Sequence, residues 1–490
     1  MNTTSSILNP SLRSNQTSNF WGSKHKGKQR SADYLRAFLR RPHHGGADGE
    51  VGKSITRVLY GYNINGLTRQ SGPNKFPPCR WLSLLRKPYP LSHFSATLNQ
   101  TPKFATLNHN PDPIEHKSEH QTERGLIFDT GDTFFRHESA TGRDLGVLAA
   151  TLYKKSRGKL RVLDALCGCG VRSLRYLVEA EADFVLANDG NVESRDVITA
   201  NLSQVEEEEE RWKVTLMDAN RIMTECYMNR DFYDLIDIDW FGSDSSFLRS
   251  AINALRMDGL LYVTSTDGFS SAAYGAYVRP MPYSNELGLR MLIGGVVRVA
   301  SVMGYRVVPL FSYYSYHGPV FRVMLRVIRG KLPDSRHYGF ISYCRDCGNS
   351  HEFSWEELGR ICCPCSDSKV SMSLVVSGPL WTGPLHDAAY ITDMLTLAKE
   401  RGWASSDTET DLDKLLNTMV AESDPRLPFG FINLDEVASR AKVNSPALKA
   451  VVAALRKEGY AVSRSHIESN ALKTNCPMSE CIRIAQELQQ

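Results

Sequence analysis

Three aspartates sit where apolar runs stop: Asp189 after Phe184-Val185-Leu186-Ala187, Asp218 after Trp212 to Met217, and Asp239 after Phe232 to Ile238. An earlier run, Arg161-Val162-Leu163-Asp164-Ala165-Leu166, stops instead in Cys167-Gly168-Cys169-Gly170-Val171-Arg172. A strand that enters a helix through glycines lets the backbone approach a ligand and points free N–H groups at it. Gly168 and Gly170 make that turn, and Asp189 follows nineteen residues after Gly170, where a ribose diol needs an acceptor. Acids at successive strand tips describe a nucleoside site at the carboxyl edge of a parallel sheet.

Placing these acids requires an α/β frame. The pattern predicts strands over 159–166, 183–188, 212–217, 232–238 and 259–266, separated by helices over 171–181, 192–204, 220–229 and 245–256. Such alternation favours a doubly wound parallel sheet. A helix over 285–303 then leads to Tyr305–Phe311, and Tyr316-His317-Gly318-Pro319 turns the chain into Phe321–Ile328. That hairpin makes the seventh strand antiparallel, the arrangement of a class I methyltransferase rather than of a six-stranded dinucleotide dehydrogenase. Upstream, a hairpin is expected around Thr130-Gly131-Asp132, followed by a helix over 143–156. The acidic run Glu206–Glu210 reads as a solvated loop.

The ligand this arrangement suits is S-adenosylmethionine. Asp189 can accept the ribose hydroxyls and Asp218 the adenine amine, with the Ala219 N–H on a ring nitrogen. Arg143 and Arg172 can neutralise the methionine carboxylate, since guanidinium pairs bidentately with carboxylates. The plainer roles open to these residues are surface charges for the arginines and strand-end caps for the acids. Asp239 begins Asp239-Trp240-Phe241-Gly242-Ser243. An exocyclic base amine is a poor nucleophile, and a carboxylate bonded to it raises its electron density and takes the departing proton. Phe241 offers a ring for an extruded base, and Asp237 is a deeper, secondary candidate.

Five of the eleven cysteines fall within Cys344–Cys365. Cys344-x2-Cys347 and Cys362-x2-Cys365, fourteen residues apart, suit a tetrahedral structural zinc. Whether Cys362 or its neighbour Cys363 supplies the third sulfur is not settled by the spacing. Leu434–Arg464 reads as helix, turn, helix and strand, a winged-helix-like pattern trailed by His466 and Lys473.

Charge divides the chain. Residues 1–111 carry 16 Lys/Arg against three acids, whereas the remainder is net −9. The first 32 residues hold no acid and lack an apolar core, a composition typical of a transit peptide. The Ser/Thr/Asn-rich opening leans to the chloroplast, with the mitochondrion as alternative. The competing reading is a basic arm that helps hold RNA. No apolar stretch approaches the ~20 residues that span a bilayer; the nearest, Met291–Met303, carries Arg298. No stable protein partner is evident. The expected organisation is an arm over 1–50, a linker over 51–123, a catalytic domain over 124–332 and a C-terminal domain over 333–490. With an acidic body, phosphate contacts must come from local patches such as Arg322, Arg326, Arg329 and Lys331.

From about residue 125 to 480 the chain resembles the tRNA guanine-26 N2-dimethyltransferases. The matching stretches include Arg143-Asp144-Leu145, Gly170-Val171-Arg172-Ser173-Leu174-Arg175-Tyr176, Asn188-Asp189 and Asp218-Ala219-Asn220. They continue through Asp237-Ile238-Asp239, Thr264-Ser265-Thr266-Asp267, Glu286-Leu287-Gly288-Leu289-Arg290 and Gly378-Pro379-Leu380-Trp381. The resemblance implies a cofactor site of Arg143, Arg172, Asp189, Asp218 and Ala219 and a catalytic Asp239. It also implies that Phe134 and Phe241 sandwich the target guanine, and that the winged-helix-like part lies against tRNA. Two departures border the base pocket. Trp240 stands where the family usually has proline, and Phe135-Arg136-His137-Glu138 lacks the usual Asn-Pro. Two alternatives therefore stay open: a methyltransferase for another RNA nucleoside, and a non-catalytic RNA-binding protein or tRNA chaperone that keeps the cofactor fold.

Overall fold

The computed structural model describes residues 120–489, except 206–209, 241, 243–244, 267–275, 331–336, 366–372 and 405–410. The expected arm and most of the expected linker lie outside these residues, as do Phe241, Lys331 and most of the Glu206–Glu210 run.

The centre is a seven-stranded sheet built from β3 (Arg161–Asp164), β4 (Phe184–Asn188), β5 (Trp212–Thr215), β6 (Tyr233–Asp239), β7 (Leu255–Ser265), β8 (Tyr305–Ser315) and β9 (Val320–Arg329). The strands lie in the order β5-β4-β3-β6-β7-β9-β8. β3 to β7 run parallel to one another, and β9 is antiparallel to both β7 and β8. The seventh strand is thus inserted antiparallel, as the hairpin at Gly318 requires. β3 pairs with both β4 and β6, so the order reverses at β3 and opens a crevice at the strand tips, the place where such sheets bind ligands.

Helices cover both faces: α1 (Ala140–Arg157), α2 (Val171–Val178), α3 (Arg195–Leu202), α4 (Ala219–Met228), α5 (Phe247–Ala254) and α6 (Ser284–Val302). Strands covered on both sides read as continuous apolar runs, and six of the seven β6 residues are buried. α2 begins where Gly170 takes φ +83°. A side chain there would be strained and would crowd Ile198, its Cβ lying 3.3 Å from Cγ2.

Upstream, β1 (His120–Glu123) and β2 (Leu126–Asp129) form a hairpin. Its turn is Arg124-Gly125, both at positive φ, not the expected Thr130-Gly131-Asp132. A two-residue loop with φ > 0 at both positions matches the twist of the flanking strands. After the sheet come β10 (Tyr338–Cys344), β11 (Ser350–Phe353) and β12 (Leu374–Trp381), a small antiparallel sheet in the order β11-β10-β12. Helices α7 (Ala388–Glu400) and α8 (Asp411–Glu422) return to the central sheet, burying Ile391, Met394 and Leu416 in the core that also holds Leu148 and Val162. The last part has α9 (Leu434–Ala441) and α10 (Leu448–Lys457), a three-stranded sheet β13-β15-β14 (Ile432–Asn433, Ala471–Thr474 and Val462–Arg464) and α11 (Met478–Glu487). That is the winged-helix-like order read from the sequence. Among the described residues, no helix is long and apolar enough to cross a membrane.

Candidate active site

At the carboxyl edge lies a cavity of about 600 Å³ whose walls include Gly168, Asp189, Arg143, Arg172, Asp239, Trp240, Phe134 and Arg322. Residues at or just beyond the C-terminal ends of β3, β4, β6 and β7, on β9 and in the segment before α1 meet there.

The glycine turn and the second strand tip are tied together. Asp189 Oδ2 accepts the Gly168 N–H at 2.9 Å, and Oδ1 accepts the Asn191 N–H at 2.8 Å. Each carboxylate oxygen keeps a further lone pair. Gly168 has φ +57° with nothing within 4 Å of where a Cβ would stand, so the backbone there is bare toward the cavity. Asp218 behaves differently. It is exposed, its Oδ1 accepts the Arg221 N–H at 3.0 Å as the N-cap of α4, and with Ala219 it lies outside the cavity wall.

The two arginines expected to face a carboxylate ligand are committed to protein acids. Arg143 Nε donates to Glu123 Oε2 at 2.9 Å and Nη2 donates to the Arg136 carbonyl at 2.9 Å. Glu123 also receives Arg175, a fully buried residue that further binds Asp144 and Glu179. Arg172 donates to Asp237 Oδ2 at 3.0 Å and to Asp239 Oδ2 at 2.5 Å. Sequence spacing gave no signal for these pairings, because Glu123 reaches Arg143, and Asp237 and Asp239 reach Arg172, only through the tertiary fold.

Asp239 stands half-exposed at the tip of β6. Burial pushes its carboxyl up, but the Arg172 and Arg322 guanidinium groups overcome that and hold it at about 2. It is an ionised hydrogen-bond acceptor facing the cavity. Asp237, the secondary candidate, is wholly buried and receives the Tyr176 hydroxyl at 2.7 Å as well as Arg172. It anchors α2 and does not line the cavity. Trp240 packs on Phe247, ring centroids 5.0 Å apart, while bordering the cavity. Phe134, also in the cavity wall, is exposed under the Arg136 guanidinium, 5.0 Å from its ring centre.

Arg322 corrects the expected surface patch. Its side chain is only 2% exposed, so it cannot meet RNA phosphates. Arg326 is half-buried beside Asp258, at 3.3 Å.

The sulfur cluster also requires a correction. Cys344, Cys347, Cys363 and Cys365 bring their sulfurs within 4.8 Å of one another. The turn points Cys363 inward and leaves Cys362 exposed. Cys344–Cys365 and Cys347–Cys363 are 3.6 and 3.5 Å apart, close to the ~3.75 Å between sulfurs that tetrahedral zinc with ~2.3 Å bonds imposes. The donor set therefore fits zinc.

A buried group passed unnoticed in the sequence: Glu422 between His386 and His466. The Ser312 N–H points at His386 Nδ1 (3.3 Å) while Nε2 meets Glu422 at 3.2 Å. That network puts the ring proton on Nε2, and a donating nitrogen cannot ligate a metal. The group pins α7 and α8 to the segment after β14. Lys473, likewise, is buried against Glu286 at 2.5 Å rather than facing a nucleic acid.

A family model described as N2,N2-dimethylguanosine tRNA methyltransferase matches residues 114–486. A tRNA (guanine(26)-N(2))-dimethyltransferase of Aeropyrum pernix is 31% identical over 376 residues, covering 73% of this chain and 90% of the relative. One from Methanothermobacter thermautotrophicus is 30% identical over 366 residues, with 71% and 90% covered. Among solved structures, Trm1 from Pyrococcus horikoshii in complex with S-adenosyl-L-methionine aligns with a TM-score of 0.59 at 23% identity, over 72% of this chain and 95% of that one. That likeness is one of fold.

Proposed function

Because the chain belongs to the N2,N2-dimethylguanosine tRNA methyltransferase family, we propose that its cavity methylates the exocyclic N2 amine of a guanosine in tRNA, at position 26. The observation that carries this reading is the pairing within one cavity of the Gly168–Asp189 turn with a clamped, ionised Asp239.

The residues present fit S-adenosylmethionine. Asp189 retains acceptor capacity for a ribose diol, and the bare backbone at Gly168 leaves room beside it. Asp218, with one oxygen committed to its helix cap, keeps the other for an adenine amine beside the Ala219 N–H. Arg143, though its Nε and Nη2 are held by Glu123, is the guanidinium at the wall for the methionine carboxylate, and Arg172 serves Asp239 instead. When bound, the cofactor supplies a methyl group activated on a sulfonium.

Asp239 aligns the amine by accepting one N–H and offsets the positive charge that grows on nitrogen as its lone pair is used. The proton that leaves the methylated amine passes to this carboxylate. Phe134 stacks on the target base, with Phe241 as its expected counterpart. The four sulfurs Cys344, Cys347, Cys363 and Cys365 hold a structural zinc, and the winged-helix-like part lies against the tRNA. The acid-free, basic opening of the chain supports import into the chloroplast; a fluorescent fusion of residues 1–119 tests this, and mitochondrial fluorescence would overturn it.

The decisive experiment incubates the protein with methyl-labelled cofactor and unmodified tRNA, then identifies the modified nucleoside by mass spectrometry. N2-methylated guanosine at position 26 is the expected product. Tight tRNA binding without methyl incorporation would instead mark an RNA chaperone, and methylation of a different nucleoside would overturn the assigned target.

A further inference from the structure

Among the described residues, Arg322 is a buried cation with little to neutralise it. It lies on β9, in the row Asp239–Thr264–Arg322 that crosses β6, β7 and β9 in register. Its Nη2 is 3.3 Å from Ser139 Oγ and 3.7 Å from Asp239 Oδ1, while Nε and Nη1 are buried without a hydrogen-bond partner. A buried cation left so poorly solvated is expensive, and among the described residues Asp239 is the acid with which it forms an ion pair.

Its seat is shaped for it. A Cβ at Gly142 of α1 would stand 2.9 Å from both Cδ and Nε of Arg322, so that glycine lets the guanidinium lie flat against the helix.

We propose that Arg322 is a positioning residue for the methyl-transfer reaction: it forms the second arm of a clamp on Asp239, facing Oδ1 while Arg172 holds Oδ2. The clamp, with the Thr264 hydroxyl beside the same carboxylate, fixes its rotation, so that Oδ1 presents a lone pair to the substrate amine in one orientation. It also keeps the charge in place without a direct bond that would occupy that lone pair, since 3.7 Å is beyond hydrogen-bond contact. The downward shift of the Asp239 carboxyl, to which Arg322 contributes after Arg172, agrees with this geometry. Nε and Nη1 are buried and Nη2 is directed at Ser139 and Asp239, so Arg322 acts through Asp239.

This inference rests on the assignment of Asp239 as the amine's acceptor. Its test uses the full chain and compares Arg322→Met, Arg322→Lys and Gly142→Ala with the unaltered protein. Cofactor Kd is measured by calorimetry, and kcat and KM are measured with tRNA. Arg322→Met is expected to lower kcat about 10- to 100-fold, the scale of a small misplacement of a reacting group, with Kd and KM within about threefold. Arg322→Lys should recover part of kcat by restoring the charge. Gly142→Ala should lower kcat in the same way by displacing the guanidinium. A folded Arg322→Met variant with unchanged kcat would overturn the clamp, as would a loss seen wholly in cofactor Kd or tRNA KM. An unaltered protein that transfers no methyl group would overturn the functional reading and the clamp together.

Discussion

Replacing Asp239 by asparagine preserves shape and removes both the charge and the proton acceptor. Arg172 would lose its 2.5 Å ion pair but keep Asp237 at 3.0 Å, and Asp237 also holds the Tyr176 hydroxyl. The start of α2 should therefore stay in place, while buried Arg322 loses its counterion, so the variant should fold with reduced stability. The Gly168–Asp189 contact lies on another strand tip and is untouched. A positioned acid or base typically contributes about 10²- to 10⁴-fold to a rate, which corresponds to ~2.7–5.4 kcal/mol of barrier. The expected outcome is a fall in the single-turnover methylation rate of at least about 100-fold, with cofactor affinity changed by less than tenfold. Rapid-quench assays with labelled cofactor and saturating enzyme isolate this step, and thermal unfolding checks integrity. The pH dependence follows from the carboxyl being held at about 2. Above that value Asp239 stays ionised, so the unaltered enzyme should show no carboxylate inflection between pH 5 and 8. Its contribution to stability is likewise fully present above the ordinary carboxyl range of about 4 and is lost as pH falls through about 2. An Asp239→Asn protein that turns over within threefold of the original, or one whose loss lies in cofactor affinity, would refute the reasoning.

Asp189→Ala should weaken cofactor binding roughly 30- to 150-fold in calorimetry, the equivalent of ~2–3 kcal/mol for charged hydrogen bonds to a diol; a change under threefold would count against the site. Glu286 is wholly buried, accepts Arg290, Lys473 and the Gly430 N–H, and is held by Lys473 and Arg290, against burial, at about 2. Glu286→Gln leaves two buried cations uncompensated and should destabilise by ~3–5 kcal/mol in urea unfolding. That stabilisation is present in full above about pH 4.3 and fades as pH falls through about 2, so equal stability of the two proteins at pH 7 would be the contrary result. Cys363→Ser should abolish bound zinc measured by mass spectrometry of the metal, whereas Cys362→Ser should retain about one ion per chain; the reverse pattern would reinstate Cys362 as ligand.

Local chemistry makes much of the fold legible in the sequence. Apolar runs ending in Asp189 and Asp239, the glycine turn at Gly168 and the Tyr316–Pro319 break each carry their conformation in a few neighbouring residues. The seven-stranded, largely parallel sheet with its antiparallel seventh strand followed from them. What escaped reading depends on partners far away in the chain. Arg322 looks like any surface cation in a basic stretch, yet the strand register sets it in the row with Asp239, and Gly142, far upstream, makes room for it. Arg143 offers no local sign that Glu123 will occupy it. Cys362 and Cys363 differ by one position, and only the direction of their turn decides which faces Cys347. His466 and Lys473 sit in a segment that reads as a nucleic-acid wing, but the fold spends both on buried acids.

The three central carboxylates argue for what the site needs from Asp239. Asp164 and Asp237 lie opposite one another on β3 and β6; burial pushes both upward, and Asp237's charge adds to the rise at Asp164. Their hydrogen bonds run to Ser173, Tyr176 and Arg172, all on α2, so they join that helix to the sheet. Asp239, two residues beyond Asp237, is the carboxylate that reaches the cavity, and it is the one driven down. Diverging environments of neighbouring acids assign their roles. Were strong basicity the requirement, either deeper carboxyl would serve better, and two arginines beside the acceptor would be a handicap. A methylated exocyclic amine is itself a strong acid while its lone pair is engaged, so a weak base suffices to take its proton. The arrangement therefore favours a fixed negative charge at the nitrogen over proton affinity. That choice fits an amine whose difficulty lies in releasing its lone pair from the ring.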